Sequence, residues 1–233
     1  MTGTPEPAAA LEFNSPMTGA TADEIVRAVV SYRPRRVIDV GCGWAELLLR
    51  IVAACPDATG RGVDHDQAAL ARAERNAAGR SLVDRVSFGT VVEAADTGDL
   101  VICIGSEHVW GSRAAALGEL GRLTVAGGHV LLGTLFWERE PPADLDDVFG
   151  PLPSLDELSA ELDAAGWRPI WLRTATVAEW DRFETGFMAR WDPPAGSGDD
   201  VDRAAATRER ERYWAQYLRR RGVLGFVFVL MSR

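Results

Sequence analysis

The stretch LVICIGSEHVWG (100–111) ends an apolar run in Gly105, Ser106, Glu107 and His108, four residues that a buried strand has no use for. Histidine takes up a proton near neutral pH, so His108 suits removal of a proton from a hydroxyl, an amine or an acidic carbon. Glu107 beside it reads as an orienting or charge-pairing group, because an exposed carboxylate is too weak a base at neutral pH. A second constellation is DVGCGWAE (39–46), with Asp39, Gly41, Cys42, Gly43 and Glu46. Its glycines allow a tight turn and a close ligand approach, and the helix that follows offers free N–H groups at the same place. A third is GVDHD (62–66), in which Asp64 stands 21 residues beyond Gly43 and is followed by His65.

These groups can meet only if the right elements carry them. A capped amphipathic helix is expected over 21–32 with Thr21 as its cap, then a strand at 35–41 and a helix at 44–55 stopped by Pro56. Strand and turn follow at 59–66, an alanine-rich helix at 67–79, and strands at 84–92 and 99–106. A helix at 112–124, a strand at 127–137, a helix at 154–166 and a strand at 167–177 continue the pattern. Helices and strands alternate with short connections, which specifies a parallel sheet covered on both faces. Parallel strands deliver their carboxyl ends to one edge, and so bring the three constellations together. His129 follows a glycine pair at the start of its strand and falls at the opposite edge.

The ligand class follows from sign. A dinucleotide fingerprint would need a third glycine where Glu46 stands, and would set Asp39 and Glu46 against a doubly negative pyrophosphate. A ligand with a cationic end suits these acids, and S-adenosylmethionine (SAM) carries a sulfonium and an ammonium group and no phosphate. Asp64 ends its strand where an acid accepts hydrogen bonds from both ribose hydroxyls. Asp39 as a simple loop cap, Asp64 as a turn residue and Cys42 as a small loop residue remain alternative readings.

The chain resembles the class I SAM-dependent methyltransferase family. The resemblance covers roughly residues 21–175 and the last strand, and rests on VIDVGCGWAE, GVDHD, DLVICIGSEH and LTVAGGHVLLG in that order. It implies an α/β, Rossmann-like doubly wound fold: a mostly parallel seven-stranded sheet with a C-terminal antiparallel strand (222–232) and a helical insertion before it, about 178–221. Residues 1–20 are expected to be a flexible segment and 21–233 a single domain. By resemblance, Asp39, Gly41, Gly43 and Glu46 hold the methionine part of SAM and Asp64 its ribose; Cys42, in the same loop, counts with the cofactor site, and Gly105 and Ser106, at the end of the fourth strand, are expected alongside the methionine part. His65 lies by the adenine, and Glu93 contacts it in place of the family's usual aspartate. The family usually has glycine where Ala45 stands. His108 and Glu107 then face the methyl group, His108 as general base or as the group that orients substrate.

Phe13, Met17 and Trp180 are expected to form a lid, with Trp110 and Trp137 as walls. The aromatic stripe Tyr213, Trp214, Tyr217 and Leu218 has the spacing of core packing; with Phe183, Phe187 and Trp191, part of it also reads as a roof over the pocket or as a contact in a homodimer.

Among 233 residues, hydrophobic types make up 47% and charged types 25%, as in ordinary globular chains. Net charge is −9, which disfavours nucleic acid as a partner. All 25 basic residues other than histidine are arginine. No apolar run reaches the ~18–20 residues of a membrane span. Cys42, Cys55 and Cys103 are scattered, an odd number in apolar settings, and read as reduced thiols of a cytoplasmic protein with no metal site. The expected acceptor is a small molecule. A relative that binds SAM or a partner without catalysis is the alternative, and an NAD(P) oxidoreductase is disfavoured by Glu46.

Overall fold

A computed structural model describes residues 11–142, 150–191 and 200–233. The flexibility expected of residues 1–10, and all but the last residue of the loop that DPPAGSGDD (192–200) suggests, lie outside them. Helix α1 (Gly19–Val30) precedes β1 (Arg36–Val40), α2 (Glu46–Ala54), β2 (Thr59–Val63), α3 (Gln67–Gly79), β3 (Val86–Gly89) and β4 (Gly98–Ile104). After a single 3₁₀ turn (Glu107–Trp110) come α4 (Arg113–Leu123), β5 (Thr124–Trp137), α5 (Leu155–Ala164) and β6 (Arg168–Thr174). Two helices, α6 (Val177–Met188) and α7 (Asp200–Arg220), lead to β7 (Leu224–Ser232).

The seven strands form one sheet in the order β3-β2-β1-β4-β5-β7-β6, parallel except for β7, which is antiparallel to both β5 and β6. Strand order reverses between β1 and β4, and in such sheets the crevice at the carboxyl ends beside that reversal is where ligands bind. Alternation along the strands divides the core. Leu100 and Ile102 of β4 pack with α1, α2, α3, α6 and α7, whereas Val101 and Cys103 pack with α4 and α5. Eight of the nine residues of β7 are buried. Burying a large aliphatic or aromatic side chain contributes about 1.5–3 kcal/mol, which makes this strand the central staple of the sheet.

Three expectations change. The cap of α1 is Thr18, whose hydroxyl accepts from the Thr21 amide, so the helix begins before Thr21. Strand β5 starts at Thr124, before the glycine pair, and Gly127 at φ +77° sits inside it beside a register shift against β4. Residues 11–18 are not a loose tail: Phe13 and Met17 are buried in the main core. The physical reason is a dense set of anchors, described below.

The insertion closes on its own chain. Phe187 stacks on Tyr213 with centroids 5.3 Å apart, and Asp181 accepts from the Tyr217 hydroxyl at 2.5 Å and from Arg221. Tyr217 is fully buried, while Leu218 at the end of the stripe stays exposed.

Candidate active site

A cavity of about 540 Å³ opens at the carboxyl edge of β1, β2, β3 and β4, within the ~300–1,000 Å³ of small-molecule sites. Its floor is the turn after β1. Gly41 has φ +73°, and a Cβ there would collide with the Ser106 side chain, so only glycine lets the β1 and β4 turns touch. Gly43 has φ +53° and open space where its Cβ would stand. Ala45 is also left-handed, φ +60°, a conformation glycine adopts without cost. The first amides of α2 have no side-chain cap, which leaves its positive end directed at the cavity.

The acids differ in their surroundings. Asp39 is 5% exposed; burial, then the nearby Asp64 charge, pushes its carboxyl up to about 8. Asp64 accepts from the Gly43 amide at 2.7 Å and from the Asp66 amide at 2.9 Å, one bond to each oxygen. Each oxygen keeps a second lone pair for a ligand. Glu46 borders the cavity, but Arg50 and Arg80 bind its carboxylate at 2.7–2.9 Å. Burial, then Asp39 and Asp64, pushes the Cys42 thiol up, so it stays protonated. Exposed His65, Thr90 and Val91, with half-buried Val92, form the outer wall on the β2–β3 side.

The structure gathers Asp39, Gly41, Cys42, Gly43, Glu46, Asp64, His65, Gly105, Ser106, His108, Phe13 and Met17 around this cavity. Five other residues singled out in the sequence stand away from it. Glu93 is drawn off by Arg61, 3.0 Å away, and is not among the lining residues. Glu107 turns to the other face of the sheet, where it accepts from the Thr134 hydroxyl. Trp110 packs against the α4–α5 core, and Trp137 and Trp180 pack within the main core. All three read as walls because an aromatic near a site and an aromatic in a core look alike in sequence.

Sequence reasoning missed the residues that hold the cover in place. Segment 11–18 runs across the cavity and brings Asn14 and Ser15 to it with Phe13 and Met17. The Trp44 indole donates to the Glu12 carbonyl, Arg72 stacks on Trp44 at 4.1 Å and donates to the Leu11 carbonyl, and Arg50 pairs with the Glu12 side chain. Glu179 of α6 accepts from Thr18 and Thr21, and a Cβ on Gly186 would collide with Leu11. Burial raises the Glu179 carboxyl, but bonds from Arg173, Thr176 and Thr21 outweigh it and hold the group at about 2. The only sequence trace of this cover was its two apolar residues, Phe13 and Met17.

Known proteins share the fold and part of the sequence. Residues 38–130 match the family model described as a methyltransferase domain. The uncharacterized protein YjhP of Escherichia coli is 27% identical over 169 residues, 67% of this chain and 68% of that protein. A ubiquinone biosynthesis O-methyltransferase of Alkalilimnicola ehrlichii is 32% identical over 133 residues, 55% of this chain and 52% of its own length. The crystal structure of a SAM-dependent methyltransferase from Geobacter sulfurreducens, in complex with S-adenosyl-L-homocysteine, superposes with a TM-score of 0.88. That pair is 22% identical, over 97% of this chain and 96% of the other. Sheet order and these neighbours agree on the fold, α/β and Rossmann-like as in SAM-dependent methyltransferases, and residues 38–130 carry the methyltransferase-domain match. Among the described residues no helix is long and apolar enough to cross a membrane, and no group of three or more metal-ligating side chains occurs.

Proposed function

We propose that this methyltransferase transfers a methyl group from SAM to a small-molecule acceptor. One observation carries the reading: a cavity at the reversal of strand order that joins two acids, Asp39 and Asp64, to an uncapped helix N-terminus and an open glycine face. The fit is chemical. A zwitterionic amino-acid end needs an anion for its ammonium and N–H donors for its carboxylate, and Asp39 and the first turn of α2 supply these. Asp64 offers its free lone pairs to ribose hydroxyls, and His65 with residues 90–92 flanks the base. Gly105 and Ser106 run alongside the methionine part.

When bound, SAM supplies an electrophilic methyl carbon, the acceptor's lone pair forming the new bond as the carbon–sulfur pair returns to sulfur. The chain's own residues do the rest. His108 takes the acceptor's proton or orients it. Phe13 and Met17 exclude water, and fixing both reactants removes entropy from the barrier. Glu46 acts through the fold, joining α2 to α3 by way of Arg80.

The test is calorimetry with S-adenosyl-L-homocysteine and with NAD, followed by labelled methyl transfer to a metabolite panel. Binding of the first ligand without the second, with turnover of an acceptor, is expected. Binding with no transfer across the panel would favour a non-catalytic relative, and absence of binding overturns the SAM reading.

A further inference from the structure

The charge around the cavity is one-sided. Its titratable lining side chains other than Cys42 are four carboxylic acids, Asp39, Glu46, Asp64 and Asp66, and two histidines, with no arginine among the described residues. Arginines on or next to the flanking helices α2 and α3 are engaged elsewhere: Arg50 with Glu12, Asp23 and Glu46, Arg80 with Glu46, and Arg72 with Trp44 and the Leu11 carbonyl. Lysine is absent from the chain. Residues 1–10, 143–149 and 192–202 contain Glu6, Asp144, Asp146, Asp147, Asp192, Asp199, Asp200 and Asp202 and no basic side chain. Any side-chain charge those stretches add near the site is therefore negative.

Ligand groups are already matched at the glycine-loop end, where the positive end of α2 serves the methionine carboxylate. What remains for the acceptor is Phe13, Asn14, Met17, Ile104, His108 and Val109, which offer apolar surface, an amide and an imidazole. In the base role proposed above, His108 acts in its neutral form and offers a lone pair rather than a permanent positive charge. A carboxylate, phosphate or sulfate seated here would lose its hydration with no permanent cation to replace it, which is unfavourable. Specificity built this way works by rejection.

Resting on the SAM reading above, we propose that the acceptor is a non-anionic small molecule, an alcohol, phenol, thiol or amine with an apolar body, and that the cavity excludes acceptors bearing a carboxylate or phosphate near the reacting atom. An ammonium group is tolerated because the surrounding field is acidic.

The test needs no knowledge of the natural acceptor. Three analogues of SAM in which a propyl arm replaces the methyl group, the arm ending in a methyl, an ammonium or a carboxylate, are compared with S-adenosyl-L-homocysteine by calorimetry. The methyl- and ammonium-tipped arms are expected to bind within about threefold of each other. The carboxylate-tipped arm is expected to bind at least tenfold more weakly, and Val109→Arg to recover most of that loss. Equal or tighter binding of the carboxylate-tipped arm overturns the proposal, as does equal binding of all three. If S-adenosyl-L-homocysteine itself does not bind, the SAM reading fails and this one with it.

Discussion

The indole Nε1 of Trp44 donates to the carbonyl oxygen of Glu12 at 2.6 Å, so the glycine loop holds the segment that covers its own cavity. Occupancy of the loop and closure of the cover are thereby one mechanical unit. Trp44→Phe keeps a ring for Arg72 and removes only the hydrogen bond, worth about 0.5–1.5 kcal/mol. Amides of residues 11–18 should exchange up to about tenfold faster in the ligand-bound variant. Unchanged exchange would mean that Arg50, Arg72 and Glu179 suffice to hold the cover.

Gly41→Ala combines a left-handed backbone with a collision at Ser106. The first costs about 1–2 kcal/mol and the second about 1–3 kcal/mol, both readable in chemical denaturation. Adding Ser106→Gly should return the collision part and leave the backbone part. A double variant no more stable than the single one would place the strain elsewhere.

For Asp64, two roles meet in one carboxylate: bonds to the Gly43 and Asp66 amides, and the proposed ribose contacts. Asp64→Ala should weaken S-adenosyl-L-homocysteine by a few kcal/mol, at ~1.5–3 per charge-assisted bond. Full affinity in a folded variant removes the ribose assignment.

Asp39 gives the site a pH dependence with a definite sign. Its folded carboxyl sits at about 8, against an ordinary 3.8, because of burial and then Asp64. Between those values the folded chain binds more protons than the unfolded one, so this group lowers stability as pH rises from about 4 to about 8. A cationic ligand favours the ionised form; its affinity should rise with pH up to about 8, with proton release at pH 7. Asp39→Asn should flatten both the melting-temperature and the affinity profiles. Calorimetry in two buffers of different ionisation enthalpy checks the proton release, and none would detach Asp39 from the ligand.

His108 lines the cavity on the turn after β4. General-base catalysis is typically worth 10²–10⁴-fold, so His108→Ala should lower turnover by about that factor while affinity for S-adenosyl-L-homocysteine holds. A variant that keeps most of its turnover leaves His108 outside the chemistry.

Periodicity and punctuation made most of the sheet legible. Helix α3 was bounded correctly at Gln67 and Gly79, and the acids and glycines at the strand ends were placed at one edge because parallel strands leave no other arrangement. Side-chain direction was not legible. Glu93 lies four residues past β3 and is claimed by Arg61, a partner 32 residues earlier in the chain. Glu107 and His108 are adjacent, yet the 3₁₀ turn sends one beneath the sheet to Thr134 and the other to the cavity. The cover was half legible: Phe13 and Met17 stood out, but their anchors, Trp44 of the glycine loop, Arg50 of α2 and Arg72 of α3, gave no hint of that role in their local patterns.

Strand β7 is hydrogen-bonded on both sides, to β5 and to β6, and these two have no ladder between them. Leu224 lies about fifty residues beyond Thr174, the end of β6. While the chain is being synthesised, β5 is finished long before the strand that covers its free edge. That edge carries Val130, Leu131 and Leu132, an apolar template of the kind that pairs with foreign strands. The newborn protein thus passes through an interval in which its sheet is open at the middle. In chain order β7 comes last and takes its place between two strands made before it, so until then the β5 edge is open to pairing with other chains.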